Sequence, residues 1–211
     1  MIAAHVHDAL RQVRELKLRV LDSQMFTGYS GRVRAVAGGA SLLAAVIMSR
    51  SGFPATARAH LVGWGVVLAV AVIANYAALI VWFVTTSGPR RDVRRLMPTV
   101  DALPPLAVGA ILSVVMVLQG MVDLLPGTWM CLYGLTNLAS RRVLPKAMWL
   151  VGLYYIACGV VLFVTPGFTF TNPWPMGIAF CVGEVVGGFI FHRNRVPNGS
   201  IQSFVAGREQ S

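Results

Sequence analysis

The chain has 211 residues, of which 56% are hydrophobic and only 12% charged, and its mean hydropathy is +0.67. Soluble domains hold about 45–50% apolar and about 25% charged residues, so the composition excludes a soluble enzyme or binding domain and describes an integral membrane protein. In a soluble chain the net charge of +10 would point to nucleic acid; here it is the expected excess of Lys and Arg on the cytoplasmic side of membrane helices, and no nucleic-acid partner is expected.

The first segment, residues 1–31, contains "HVHDALRQVRELKLRVLDSQMF". Val6, Leu10, Val13 and Val20 recur at helical spacing, with Arg11, Arg14, Lys17 and Arg19 among the polar positions between them. This predicts an amphipathic helix. It would rest on the inner membrane surface with its basic residues toward anionic lipid, or dock on a membrane protein partner. The stretch is charged throughout rather than basic and then apolar, so no signal peptide is expected. His5 and His7 are two possible ligands on a chain end, too few to predict a metal site.

Residues 32–192 follow as a predicted bundle of six transmembrane helices. Spanning helices need about 20 mainly apolar residues, and the segments are Val33–Ser49, Leu61–Thr85, Leu103–Val122, Pro126–Ser140, Ala147–Thr165 and Trp174–Phe191. The fourth is the shortest, so a buried position, local thinning of the bilayer or a re-entrant course would each fit it. The predicted fold is all-α and polytopic, with an amphipathic N-terminal helix and a polar tail over 193–211. Sixteen of the 18 Lys and Arg fall on one side, including Arg90, Arg91, Arg94 and Arg95, and only Arg50 and Arg58 fall on the other. By the positive-inside rule both termini are cytoplasmic, and a bacterial cytoplasmic (inner) membrane is the expected location. Arg34 belongs, on this reading, with the inner basic residues that precede the first span. Trp64, Trp82, Trp129, Trp149 and Trp174 each lie close to a predicted helix end, as in an interfacial aromatic belt. The uncharged loop "TPGFTFTNPWP" reads as a lid on the outer interface.

The residue that stands out is Glu184, deep in the last span. A carboxylate there is too far from the helix end to reach water easily, and an intramembrane ionisable residue is by default a candidate functional site facing the bundle interior. Ala179, Gly183 and Gly187 form a small-residue stripe beside it, which predicts close approach of another backbone. The expected state is a protonated carboxyl hydrogen-bonded across helices. Candidate partners are Asn75 and Tyr76 in the second span, Tyr133 and Asn137 in the fourth, and Tyr154 and Tyr155 in the fifth. Cys131, Cys158 and Cys181 lie inside apolar segments without a CxxC spacing and read as packing residues. There is no HExxH, no GxSxG and no carboxylate cluster of metal-binding spacing, so no catalytic residue, metal or cofactor is expected. His60 and His192 belong to opposite sides of the membrane, which argues against a haem between them.

The pieces Leu103-Pro104-Pro105-Leu106, "LLPGTWMCLYG" at 124–134 and Arg142-Val143-Leu144-Pro145, together with "FTGYSGRVRAVAGGASLLAA" and a last helix ending in basic residues, carry a resemblance. Over residues 26–193 the chain is similar to an uncharacterised family of small bacterial six-helix integral membrane proteins. The resemblance implies the six-helix fold and no activity; it also implies that the position of Glu184 is often histidine there, so this chain departs in residue type while keeping an ionisable group. The functional expectation is a non-enzymatic accessory, binding or sensing subunit of a membrane assembly, working with a membrane protein partner or by self-association. A small proton-linked transporter using Glu184 is the competing expectation, and an enzyme acting on lipid or quinone comes third.

Overall fold

A computed structural model describes residues 31–85, 103–140 and 144–193. Among them every regular element is helical: α1 (Gly31–Met48), α2 (Ala57–Thr85), α3 (Leu103–Leu118), α4 (Leu125–Ala139), α5 (Met148–Val164) and α6 (Trp174–Arg193). A single 3-10 turn, Val122–Leu124, leads into α4. The predicted N-terminal helix with Arg11, Arg14, Lys17 and Arg19, the connection carrying Arg90, Arg91, Arg94 and Arg95, and the tail beyond 193 lie outside the described residues. Three helices (α1, α2 over Ala57–Ala78, and α6) are long and apolar enough to cross a membrane. α3 and α5 are apolar but shorter, and at 15 residues α4 measures about 22 Å.

Local chemistry sets the helix ends. α2 starts four residues before the predicted Leu61, because Thr56 caps it: the Thr56 hydroxyl accepts from the Ala59 N–H at 3.3 Å. α3 stops at Leu118, short of the predicted Val122. Gly120 takes a left-handed φ of 72°, and the Met121 N–H reaches back to the Met116 carbonyl at 2.8 Å while the Gly120 N–H bonds that of Val117. That pair of bonds is the Schellman ending that glycine favours.

Glycines then decide which helices touch. α1 and α6 run antiparallel with their backbones in contact, Gly31 against Gly188, Gly38 against Cys181, and Ala45 with Ser41 against Gly177. α4 and α5 form a second antiparallel pair, with Gly127 against Gly159 and Gly134 against Gly152. In both pairs the contacts are spaced seven residues apart along one helix, two turns, which keeps them on one face. α4 is therefore a continuous helix along α5. α2 packs on α1 and α3 on α4, and α5 meets α6. None of the residues of α3 is buried.

The connections α1–α2, α3–α4 and α5–α6 gather at one end of the molecule. Phe170, from the α5–α6 loop, is 1% exposed and sits edge-on to both His60 and Trp129. Its backbone N–H donates to the Asp123 carboxylate at 2.6 Å. Phe170 and Pro173 are thus inserted at the end of the bundle, while Thr165, Pro166, Gly167, Thr169 and Asn172 of the same loop stay exposed. Trp64 also departs from the belt reading. Trp64 is 5% exposed and belongs to the core, and the indole N–H of Trp129 donates to the Ser113 hydroxyl of α3 at 2.8 Å. Trp149 and Trp174 are exposed, as a belt requires; the side chain of Trp82 lies outside the described part.

Candidate functional site

Glu184 occupies the middle of α6 and is buried, with 6% of its surface exposed. Its Oε1 accepts three hydrogen bonds from three helices: from Arg34 Nη2 of α1 at 2.8 Å, from the Tyr133 hydroxyl of α4 at 2.8 Å and from the Tyr155 hydroxyl of α5 at 3.0 Å. Arg34 is equally buried at 5%. The site is thus an ion pair: the carboxyl is hydrogen-bonded across helices, as expected from the sequence, and it also has a guanidinium against it, which the sequence reading did not supply.

Each partner is itself oriented. Asn137, one turn beyond Tyr133, donates its Nδ2 to the Tyr133 backbone carbonyl at 2.9 Å, which turns its Oδ1 toward Arg34 Nη1 at 3.5 Å. Arg34 Nη2 also lies 3.4 Å from the Tyr133 hydroxyl, and the guanidinium stands 5.8 Å from the centroid of the Phe191 ring, a cation–π arrangement. The rings of Tyr133 and Tyr155 meet edge to face at 4.9 Å. Four helices therefore converge on one oxygen.

Small residues make the convergence possible, in a different way from the one expected. The stripe Ala179–Gly183–Gly187 does not meet a backbone. Gly183 leaves the space that the Tyr155 phenol fills, and a Cβ on Gly187 would stand 3.0 Å from Arg34 Nε. The close backbone approach uses the neighbouring face, Gly177 and Gly188. Two faces of one helix thus divide the work, one admitting a helix and the other admitting side chains.

The sequence candidates separate accordingly. Tyr133, Asn137 and Tyr155 join Glu184. Tyr154 faces the same interhelix seam but donates to the Ala179 carbonyl at 3.2 Å. Asn75 is half-buried and Tyr76 exposed on α2, and no hydrogen bond joins either to the cluster. Arg34 was missed: its place two residues after Arg32, at the edge of an apolar segment, gave it the appearance of an interfacial charge. The available signal was the carboxylate itself, since a buried Glu demands either a proton or a counter-ion.

No family model, curated protein or solved structure matches the chain. Chemically, the cluster holds one carboxylate, one guanidinium, two phenols and an amide, without a nucleophile beside a base. Among the described residues no three His, Cys, Asp or Glu side chains are grouped as metal ligands. Of the cysteines, Cys131 packs on Gly159 and its thiol points to the Ile156 carbonyl at 3.9 Å, in a packing role.

Proposed function

We propose that the chain is a non-enzymatic integral membrane protein, an accessory, binding or sensing subunit of a membrane assembly. In this reading six helices cross a bacterial cytoplasmic membrane with both termini cytoplasmic, and the basic inner face meets anionic lipid and a protein partner. The observation that supports it most is the saturation of Glu184: one oxygen takes three donors from three helices. A carboxylate so engaged fixes a core of α1, α4, α5 and α6, and leaves the apolar outer faces of α2 and α3 for lipid or partner. The resemblance to an uncharacterised six-helix bacterial family agrees with the same architecture.

A second reading has its own support. Buried ion pairs stabilise little compared with apolar packing, and ionisable groups at mid-membrane often mark proton pathways. A proton taken by Glu184 would weaken its hold on Arg34 and loosen four helices together, the behaviour of a proton-linked transporter. Reconstitution separates the two. Purification in mild detergent with a co-purifying membrane protein, and no solute or proton flux by the isolated chain in liposomes, is the outcome expected of a subunit. Flux driven by a pH gradient and abolished by Glu184→Gln would overturn that reading in favour of transport.

A further inference from the structure

Asn75 sits in the apolar run of α2, 14 residues after Leu61 and nine before Val84. At 1.5 Å per residue the nearer of the two is about 13 Å of helix away, farther than a short amide reaches to meet water. The side chain is half-buried, and among the described residues no hydrogen bond reaches its amide. Hydrocarbon supplies neither donor nor acceptor, so at this depth the amide is satisfied only by another protein group.

The side of α2 that carries Asn75 is open to a second helix. Trp64, Ala71, Asn75 and Ala78 follow one another at intervals of seven, four and three residues, which places them on one side of the helix. Along that side burial falls from Trp64, 5% exposed near the loop end, to Ala71, Asn75 and Ala78, all half-buried. Of the apolar stretch Ala57–Ala78 only 6% is buried inside the molecule. α2 therefore leaves the bundle along this side. The residues flanking the amide there are alanines, small enough for a second backbone to come close.

The chemistry of the amide selects the occupant. A primary amide carries two N–H donors and a carbonyl acceptor, so two asparagines brought face to face satisfy one another with no third group. A two-fold axis achieves this directly, because an isologous interface sets a residue against its own copy. We propose that α2 is the seam of a homodimer in which Asn75 of the two chains form a reciprocal pair of amide–amide hydrogen bonds at membrane depth, bordered by Ala71 and Ala78. The seam lies outside the Arg34–Glu184 cluster. It rests on α2 crossing the membrane and suits a subunit and a transporter alike.

The test counts chains in the bilayer. Full-length protein carrying one fluorophore per chain is diluted into phosphatidylethanolamine–phosphatidylglycerol vesicles and bleached one molecule at a time. The wild-type protein should bleach in two steps. Asn75→Leu, which presents the same side to lipid without a polar group, should bleach in one; Asn75→Gln, which keeps the amide, should bleach in two. A second measurement locates the seam, in a background with Cys131, Cys158 and Cys181 replaced. Ala71→Cys should form an oxidative cross-link between chains, whereas Ala77→Cys, exposed on the side of α2 opposite Asn75, should not. Single-step bleaching of the wild-type protein overturns the seam. So does a dimer that persists in Asn75→Leu, or one that cross-links through Ala77→Cys and not through Ala71→Cys. None of these readouts involves flux or co-purification, so failure of the seam is distinguishable from failure of the function proposed above.

Discussion

At the scale of single residues, Glu184 is where sequence and structure meet and also where they part. Its depth and inward orientation were legible because an apolar run leaves a carboxylate nowhere else to go. Its counter-ion was not, because a helix-edge arginine usually turns its head toward water and only tertiary packing reveals that Arg34 turns inward. The difference changes what substitution should do. For a protonated acid, Glu184→Gln is nearly neutral; against a guanidinium it takes the carboxylate away from a buried charge. We expect Glu184→Gln to destabilise by about 3 kcal/mol, the lower part of the range for breaking a buried pair, measured by equilibrium unfolding in mixed micelles. The two tyrosines of α5 should also differ. Tyr155→Phe removes a hydroxyl from the carboxylate and should cost about 1–2 kcal/mol, as hydrogen bonds to charged groups do. Tyr154→Phe removes one from a backbone carbonyl and should cost about 0.6 kcal/mol, the average for interhelical bonds in a membrane protein. Equal losses would show that the charge on Glu184 adds nothing to the bond.

At the scale of the helices, hydropathy located all six, and what it misjudged were their ends and faces. Apolar residues such as Met121 and Val122 extended α3 on paper past a glycine that terminates it in space. Polar Thr56 and Arg58 shortened α2 on paper although Thr56 is its cap. The glycines themselves were visible, but a sequence does not say which of two faces meets a backbone. Gly31 and Gly39, both in α1, give a controlled comparison. A Cβ on Gly31 runs into the Gly188 backbone carbonyl, whereas one on Gly39 finds nothing within 4 Å. Gly31→Ala should therefore cost about 1–3 kcal/mol through overpacking. Gly39→Ala should be neutral or stabilising by up to about 1 kcal/mol, the helix-propensity difference. Parallel losses in both variants would mean that α1 meets a second surface on its Gly39 side.

At the scale of the whole molecule, two glycine-seamed pairs, α1 with α6 and α4 with α5, are joined across their interface by the Arg34–Glu184 cluster, with α2 and α3 at the periphery. The gathering of three loops at one end means that successive helices alternate in direction, as the distribution of basic residues requires. Single cysteines at exposed positions, Ala55→Cys at the loop end and Lys146→Cys at the other, should react from opposite sides of the membrane in a background with Cys131, Cys158 and Cys181 replaced. Lys146→Cys should face the cytoplasm; labelling of both positions from the same side would refute the alternation. Arg34 and Glu184 act as one unit holding four helices together, and a double-mutant cycle with Arg34→Leu and Glu184→Leu measures that coupling. Each single substitution removes one member of a buried charge pair and should cost about 3–5 kcal/mol, while the double variant, with neither charge buried, should cost well under the sum. Losses that add to within about 0.5 kcal/mol would contradict the account, because independent sites add and a clasp does not.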